Sequence, residues 1–286
     1  MQRVTLFLAA GNDQPRLGVV DGEELVDISA AAGAHDLTEL IVRGADWNAL
    51  AAKARSSGAR VPMASAQFLP PVPNPRKIIC LGLNYADHAA EGGHARPEYP
   101  SIFLRVATSL VGHGQGLVRP RVSDKLDYEA ELVLVVGKRA RHLTAANALD
   151  AVAGYSCFND GSLRDYQRKT GQWTIGKNFD ATGAFGPWFV PAADLPPGAV
   201  GLKIESRLNG QVMQSDNTRN MLFPVVETMC LVTEALTLEP GDLVVMGTPS
   251  GVGYARKPPV WMKAGDRIEI EIEGIGVLSN PVVDED

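Results

Sequence analysis

Short segments in which polar and apolar residues alternate are the feature that most constrains the fold of this 286-residue chain. Residues 126–138 read LDYEAELVLVVGK and residues 268–273 read IEIEIE, the spacing of strands with one apolar face. Helices are predicted over residues 223–238 and 143–154, the latter with Thr144 as N-cap. Strands outnumber helices without regular β–α–β alternation, which predicts an α+β fold on a mixed or barrel-like sheet.

A proline-rich segment separates two parts of the chain. Residues 68–77, FLPPVPNPRK, contain four prolines among ten residues, which is typical of a linker or a rigid connection. Before it, VTLFLA, RLGVVDG and EELVDI read as short strands, and LTELIVRGADWNALAAKAR has helical spacing. We therefore predict a small, β-rich N-terminal domain over residues 1–70 and a larger domain over residues 71–286.

Composition excludes several classes of protein. The net charge of −6 argues against a nucleic-acid-binding protein, which usually carries a basic surplus. The three cysteines are far apart and odd in number, which favours a reducing compartment over a disulfide framework. No apolar run approaches the roughly 20 residues that span a membrane, and MQRVTLFLAAG favours a first strand over a signal peptide. We expect a cytoplasmic protein that binds neither membranes nor nucleic acids.

The first alternating segment places Asp127, Glu129 and Glu131 on one face, with neighbouring carboxylates roughly 7 Å apart. A bound divalent cation would offset their repulsion, and carboxylate oxygens suit Mg²⁺, Mn²⁺ or Ca²⁺. The segment IEIEIE carries glutamates in the same alternation, which is also the pattern of a half-buried strand with a solvated face. The Glu-x-Glu pattern alone therefore leaves a metal site and an ordinary surface both open.

Two further segments hold polar residues that can carry chemistry. In FNDGSLRDYQ, Asp160 precedes a short predicted helix with Arg164 and Gln167 on one face, although an aspartate there can equally be a helix cap. Ser162 is another candidate cap. In TIGKNFD, Lys177 lies in a polar, glycine-flanked setting, where an exposed lysine is the simpler interpretation.

A possible general base and a possible ligand loop lie elsewhere in the chain. His88 and Glu91 in NYADHAAE are spaced i, i+3, so the carboxylate could orient the imidazole, although a lone histidine is more often structural. The segment GTPSGVG is not a P-loop, and its glycines would let the backbone approach a ligand, with Thr248 offering a hydroxyl. Residues 84–98, rich in glycine and alanine, predict a mobile lid.

Taken in order, eight segments resemble the fumarylacetoacetate hydrolase family. The resemblance extends from Lys77 to the C-terminus, and the preceding segment is similar to the small N-terminal region that many members carry. It implies a mixed β-roll with a metal at the mouth of a cleft, in a homodimer. The segments are LGLNYADHAAE, SIFLRVATSLVG, LDYEAELVLVVGK, AGYSCFNDGSLRDYQ, GKNFDATGAFGPW, LNGQVMQ, GDLVVMGTPSGVG and AGDRIEIEIEGIGVLSNPV.

The resemblance also implies a role for individual residues. The implied metal ligands are Glu129, Glu131 and Asp160, the catalytic residues are His88, Glu91 and Lys177, and the substrate-binding residues are Arg164, Gln167 and Thr248. Arg105 stands in FLR where many relatives have lysine, and we include it among the substrate-binding residues because its planar fork would change recognition of the substrate's distal end. The glutamates of IEIEIE match no ligand position.

The implied reaction is hydrolysis of a C–C bond in an acylpyruvate- or fumarylpyruvate-like 2,4-dioxo acid through a metal-bound enolate. The implied ion is Mg²⁺ or Mn²⁺, with Ca²⁺ as a further option. Within the same family the alternatives are an isomerase or tautomerase, a hydratase, or a decarboxylase of 2-oxo acids and diacids. A non-catalytic protein that binds a metal and a sugar acid is the alternative from another class, and the combination of His88, Lys177 and three acids argues against it.

Overall fold

The computed structural model describes residues 1–91 and 97–286, which form an α+β fold. Helices are few in this part of the chain, as the sequence predicts. The strands before residue 70 are β1 (Val4–Leu8), β2 (Arg16–Asp21), β3 (Glu24–Asp27), β4 (Arg60–Pro62) and β5 (Gln67–Leu69). The helices of the same region are α1 (Ser29–Ala32), α2 (Leu37–Val42) and α3 (Trp47–Ser57).

The rest of the described chain is dominated by strands. They are β6 (Ile78–Gly82), β7 (Ser101–Arg105), β8 (Leu110–Val111), β9 (Leu117–Arg119), β10 (Leu126–Asp127), β11 (Ala130–Val136), β12 (Val152–Asn159), β13 (Ser162–Leu163), β14 (Gly183–Pro191), β15 (Lys203–Leu208), β16 (Gln211–Asn217), β17 (Leu243–Val245), β18 (Arg267–Ile272) and β19 (Gly276–Asp284). The helices are α4 (Ala86–Glu91), α5 (Arg164–Gln167) and α6 (Val225–Ala235).

These strands form one large mixed sheet and two smaller sheets. The large sheet has the order β4-β3-β2-β1-β14-β12-β11-β17-β6-β7, with β5 and β8 paired to β1 and β14. A five-stranded sheet has the order β16-β15-β18-β19-β9, and β10 pairs with β13. The predicted α+β class is confirmed, and the sheets of the described residues stay open rather than closing into a barrel.

The N-terminal strands extend the sheet of the larger region. Strand β1 pairs antiparallel with β14, with Val4 opposite Phe189. The proposed domain boundary at residue 70 stays a prediction. Residues 92–96, in the middle of the predicted lid, lie outside the described residues.

Strand β11 is central and is covered on both faces, which decides the environment of the acidic segment. It pairs antiparallel with β12 on one side and β17 on the other. Leu132 and Leu134 pack into one hydrophobic core, whereas Val133 and Val135 pack into a second core on the opposite face. A side chain at the start of β11 therefore points into the protein on either face, because neither face is open to water.

Local predictions from the sequence have mixed outcomes. The helix at 223–238 is confirmed as α6, but the one at 143–154 is wrong: this segment has only a 3₁₀ turn, Ala148–Ala151, before the chain enters β12. The Asn147 Oδ1 atom accepts hydrogen bonds from the Thr144 amide and hydroxyl, at 2.8 and 3.2 Å, and this local turn competes with a helical start. None of the described helices is both long and apolar enough to cross a membrane.

Candidate active site

Three carboxylates, which we call the acid cluster, meet at one end of the β11–β12 pair: Glu129, Glu131 and Asp160. Glu129 immediately precedes β11 and Asp160 immediately follows β12, and the Asp160 amide donates to the Glu129 carbonyl at 3.0 Å. Each acid offers an oxygen, and these oxygens all lie within 4.8 Å of one another. The pairing of two neighbouring strands therefore joins acids that are about thirty residues apart in sequence.

Glu129 is paired with cations although it is buried. Arg164 Nη2 and Lys177 Nζ each donate to its carboxylate at 2.6 Å. Burial alone would raise the pKa of Glu129, but the charges of Arg164 and Lys177 lower this pKa below its usual range. Glu129 is therefore held as a carboxylate.

Glu131 has a different environment from Glu129. Its carboxylate accepts a hydrogen bond from the Gly247 amide at 2.6 Å and makes no ion pair with any residue that the structure describes. Gly247 has a φ of 85°, a left-handed conformation that glycine adopts readily. Burial, followed by the nearby charges of Asp160 and Glu129, raises the pKa of Glu131 well above its usual range.

The charges around the acid cluster fit a divalent cation. With every group ionised, four buried carboxylates and three buried cations would leave one net negative charge there, and the groups are Asp127, Glu129, Glu131, Asp160, Arg105, Arg164 and Lys177. A divalent ion would offset this charge, and carboxylate oxygens are the donors that Mg²⁺, Mn²⁺ and Ca²⁺ prefer. The residues present are therefore suited to such an ion.

Arg164 is engaged by protein groups on all sides of its guanidinium. Its Nε donates to Asp127 Oδ2 at 2.8 Å, and Nη1 donates to Gln167 Oε1 at 2.8 Å, in addition to the Nη2 contact with Glu129. Arg164 lies at the start of α5, whose predicted side-chain cap is wrong, because the Ser162 hydroxyl donates instead to the Asp160 carbonyl. Arg164 thus orients the acid cluster and Gln167.

Arg105 lies behind the acid cluster. Its side chain is fully buried on β7, where Nη1 donates to Asp160 Oδ1 at 2.5 Å and Nε donates to Ser109 Oγ at 3.1 Å. Its Nη2 donates to Thr182 Oγ1 at 3.3 Å. Arg105 is not part of the cavity wall described below, and this position supports orientation of Asp160 rather than contact with a substrate.

Lys177 links two of the acids. Its Nζ donates to Glu129 Oε2 and to Asp160 Oδ2, at 2.6 Å each, and its side chain is only 2% exposed. Burial alone would lower the pKa of Lys177, but Asp160 and Glu129 raise it above its usual value. An ammonium group has three N–H donors, so one donor remains after these two contacts.

A cavity of about 250 Å³ opens in front of the acid cluster. Its wall includes seven of the residues singled out from the sequence, and seven to which the sequence analysis assigned no role. The lining residues are Leu81, Gly82, Leu83, His88, Phe103, Glu129, Glu131, Arg164, Gln167, Arg168, Trp173, Lys177, Thr248 and Tyr254. Among the missed residues, Arg168 follows Gln167 directly and Tyr254 closely follows the glycine-rich loop, whereas no spacing pattern pointed to Trp173.

His88 faces this cavity from α4 and is only 7% exposed. Its Nδ1 lies 3.4 Å from Glu91 Oε2, the i, i+3 contact that the sequence predicts. The Glu91 carboxylate also accepts from the Gly251 amide, at 3.0 and 3.1 Å. Glu91 thus attaches α4 to the glycine-rich loop that carries Thr248.

Thr248 completes the inner wall, and Gln214 supports it from behind. The Thr248 hydroxyl donates to the Ala130 carbonyl at 2.9 Å and accepts from Gln214 Nε2 at 2.8 Å. Gln214 also accepts from the Ala130 amide at 3.0 Å, so the loop is fixed against the beginning of β11.

A cavity lined by a buried acid cluster, a histidine–glutamate pair and a buried lysine is a candidate enzyme active site. The model of the fumarylacetoacetate (FAA) hydrolase C-terminal domain matches residues 77–283. The chain belongs to the fumarylacetoacetate hydrolase family, a family of enzymes, as the sequence resemblance predicts.

Relatives of this chain differ in the reactions for which they are named. The oxaloacetate tautomerase Fahd2a of Rattus norvegicus, named as mitochondrial, is 37% identical over 98% of this chain and 91% of its own length. A fumarylacetoacetate hydrolase structure from psychrophilic Exiguobacterium antarcticum is 35% identical, covers 100% of both chains and has a TM-score of 0.88. The maleylpyruvate hydrolase of Sphingobium sp. SYK-6, in complex with manganese(II) and pyruvate, is 29% identical, covers 99% of this chain and 100% of that one, and has a TM-score of 0.82.

Proposed function

We propose that the chain is a divalent-metal-dependent hydrolase that cleaves a C–C bond in a small 2,4-dioxo acid of the acylpyruvate or fumarylpyruvate type. The observation that carries the proposal is the His88–Glu91 pair beside the acid cluster in one small cavity. His88 Nδ1 faces Glu91, which leaves Nε2 without a partner among the described residues. A cavity of about 250 Å³ suits a small metabolite, since sites for drug-sized ligands are larger.

Glu129, Glu131 and Asp160 would hold the metal ion. When bound, Mg²⁺ or Mn²⁺ would act as a Lewis acid on the oxygens of a 2-oxo acid. The manganese and pyruvate in the Sphingobium neighbour support this choice of ion and of substrate end, and Ca²⁺ is a further option. Arg105 and Arg164 would keep the ligands in place through their contacts with Asp160 and Glu129.

The remaining residues would act on the substrate and on water. His88, oriented by Glu91, would take a proton from water, and the resulting hydroxide would attack the carbonyl distal to the 2-oxo acid. The third N–H of Lys177 would stabilise the oxyanion formed there. The C–C bond would then break with its electron pair on the pyruvate fragment, which takes up a proton. Gln167 and Thr248 would bind the substrate from the cavity wall.

A second candidate function is keto–enol tautomerisation of a 2-oxo diacid. Relatives that align with 98% of this chain are named oxaloacetate tautomerases, and that observation favours this reaction. In this case His88 would move a proton to or from the carbon between the two carbonyl groups, and no water would attack.

One substrate panel separates these functions. The purified chain with Mn²⁺ or Mg²⁺ is given acetylpyruvate, fumarylpyruvate or oxaloacetate, and loss of enol absorbance and release of pyruvate are followed together. Hydrolysis predicts one pyruvate for each acylpyruvate consumed. Tautomerisation predicts faster loss of the oxaloacetate enol with no pyruvate above the uncatalysed background. Metal binding without turnover of any of these acids would favour a non-catalytic binding protein.

The homodimer that the sequence resemblance implies has a candidate surface. Strand β7 is an edge of the large sheet, and Ile102, Leu104 and the following Val106 are 39%, 50% and 51% exposed. Asn178 already binds the Leu104 carbonyl and the Val106 amide on this edge, so we expect the exposed side chains, rather than the backbone, to pack against a second copy about a two-fold axis. Light scattering should give twice the monomer mass for the native chain and the monomer mass for Leu104→Lys; a monomeric native chain contradicts the proposal. A cytoplasmic location stays a prediction.

A further inference from the structure

The three arginine and lysine residues that line the cavity differ in how their charges are used. Arg164 and Lys177 donate to the buried carboxylates described above. Arg168 also lines the cavity, but its guanidinium makes no hydrogen bond or ion pair within residues 1–91 and 97–286. Arg168 is therefore the arginine in this wall whose whole guanidinium is available to a ligand, without competition from a protein carboxylate.

Arg168 is nevertheless held in place by an aromatic ring. Its Cζ lies 4.5 Å from the ring centroid of Tyr254, and the Cζ of Arg164 lies 4.7 Å from the same centroid. The Tyr254 backbone amide donates to Asp127 Oδ2 at 3.0 Å, and the same oxygen accepts from Arg164. The backbone that carries the ring is therefore fixed to Asp127. Stacking of a guanidinium on a ring leaves its N–H edge free for a planar acceptor such as a carboxylate.

The charges in the cavity show why this free cation matters. In the proposed function the acid cluster would hold the metal ion, and the 2-oxo acid end of the substrate would lie at that end of the cavity. A second carboxylate at the other end would enter the same small cavity, where an unpaired charge is costly to bury. An arginine at the rim can form a bidentate pair with that carboxylate.

We propose that Arg168, positioned on Tyr254, binds the distal carboxylate of the substrate and so makes the site selective for 2-oxo dicarboxylic acids over 2-oxo monocarboxylic acids. This inference rests on the proposed function, because it takes the metal-binding end of the cavity as the place of the 2-oxo acid group. It holds for hydrolysis and for tautomerisation, since it concerns binding and not the bond that changes.

The test uses a matched pair of ligands that lack the reactive second carbonyl. 2-Oxoglutarate and 2-oxopentanoate have the same chain length, and only the first carries a distal carboxylate. Calorimetric titration of the Mn²⁺-loaded full chain should show 2-oxoglutarate binding about 10- to 100-fold more tightly, as expected for one charge-assisted hydrogen-bonded pair. Arg168→Met should bring this ratio close to one, and Arg168→Lys should restore part of it.

Lys169→Met is the control for removal of a neighbouring positive charge. Lys169 lies over the Tyr166 ring, with Nζ 3.3 Å from the centroid, and does not line the cavity. The Lys169→Met variant should keep the native ratio of the dissociation constants for 2-oxopentanoate and 2-oxoglutarate. The inference is overturned if the native chain does not prefer the diacid, if Arg168→Met keeps the preference, or if Lys169→Met loses it equally. Because these ligands do not react, this result is separate from that of the substrate panel. If the native chain turns over a substrate of the panel but Arg168→Met keeps the native ratio of dissociation constants, this inference is refuted and the proposed function stands.

Discussion

Two strands of this protein carry glutamates at alternate positions, and the two sets have opposite environments. At the beginning of β11, Glu129 and Glu131 are only 4% and 1% exposed. On β18, the side chains of Glu269 and Glu271 are 27% and 46% exposed, and both accept hydrogen bonds from Arg207, at 3.0 and 2.6 Å. The same alternation has therefore produced a buried charged centre in one place and a surface ion-pair network in the other.

The cover over each strand explains the difference. Strand β11 has a hydrophobic core on both of its faces, whereas β18 buries only the isoleucine face of its alternation. Arg207 lies on β15 directly opposite Glu269, so one solvent-accessible cation serves the acidic face of β18. Surface pairs of this kind contribute little to stability, whereas the loss of one partner from a buried pair is costly. Burial, not the spacing of the glutamates, separates a candidate site from a surface.

The largest expected effect concerns the base beside the buried acids. Replacing His88 with alanine should lower kcat/KM for the hydrolysed substrate by about 10²- to 10⁴-fold, because general-base catalysis contributes that much. Manganese affinity, measured by calorimetry, should stay within about threefold of the native value, since His88 is not a proposed ligand. His35→Ala, at an exposed position far from the cavity in sequence, is the control. Full activity in the His88 variant would remove the histidine–glutamate pair from the mechanism.

The next largest effect is expected in the free energy of unfolding, which should differ between variants of the two acidic segments. Glu129→Gln should lower the free energy of unfolding by about 3–5 kcal/mol, because Arg164 and Lys177 would each lose a charged partner in a buried setting. Glu269→Gln should cost less than about 1 kcal/mol, because its partner Arg207 is accessible to solvent. Urea unfolding with a chelator present measures both values. Equal losses in the two variants would contradict the contrast between the strands.

Replacement of Glu131 should change the free energy of unfolding least, and in the direction opposite to replacement of Glu129. Glu131→Gln should leave the metal-free protein as stable as the native chain or more stable, because burial and the neighbouring acids already disfavour the ionised form of Glu131, and an amide oxygen can still accept the hydrogen bond from Gly247. Glu131→Gln should also weaken Mn²⁺ binding by at least about 100-fold, since even residues that only support metal ligands contribute 10- to 100-fold.

Melting curves of the native chain and of Glu131→Gln, each with and without Mn²⁺, show whether the stabilisation by the ion is lost. Glu271→Gln should keep the native response, and the same loss in that variant would refute the assignment.

Much of the candidate site could be predicted from the sequence because its parts depend on short-range geometry. The i, i+3 spacing of His88 and Glu91 places both on one side of a helical turn, as α4 shows. Glu129 and Glu131 share a face for the same kind of reason. Alternation alone could not show whether these glutamates or those of β18 are the metal ligands. The order of motifs that resemble the family led to the prediction of Glu129 and Glu131.

Other features could not be predicted because they depend on which distant groups face each other. The family resemblance implies substrate binding by Arg164, but its guanidinium donates hydrogen bonds to Asp127, Glu129 and Gln167. Arg168 and Tyr254 meet across 86 positions of sequence, and neither belongs to a recognised pattern. The predicted helix at 143–154 failed because pairing with β11 and β14 takes the chain into β12.

The sequence by itself determined the strand-rich α+β class, the family, and the residue types available for holding a divalent ion and moving a proton. The tertiary structure decided which carboxylates are buried, which cations neutralise them, and which single arginine in the cavity wall is left without a protein carboxylate. The physical reason is that alternation and helical spacing act over a few residues, whereas burial and charge pairing depend on the neighbours that the completed sheet brings to each side chain.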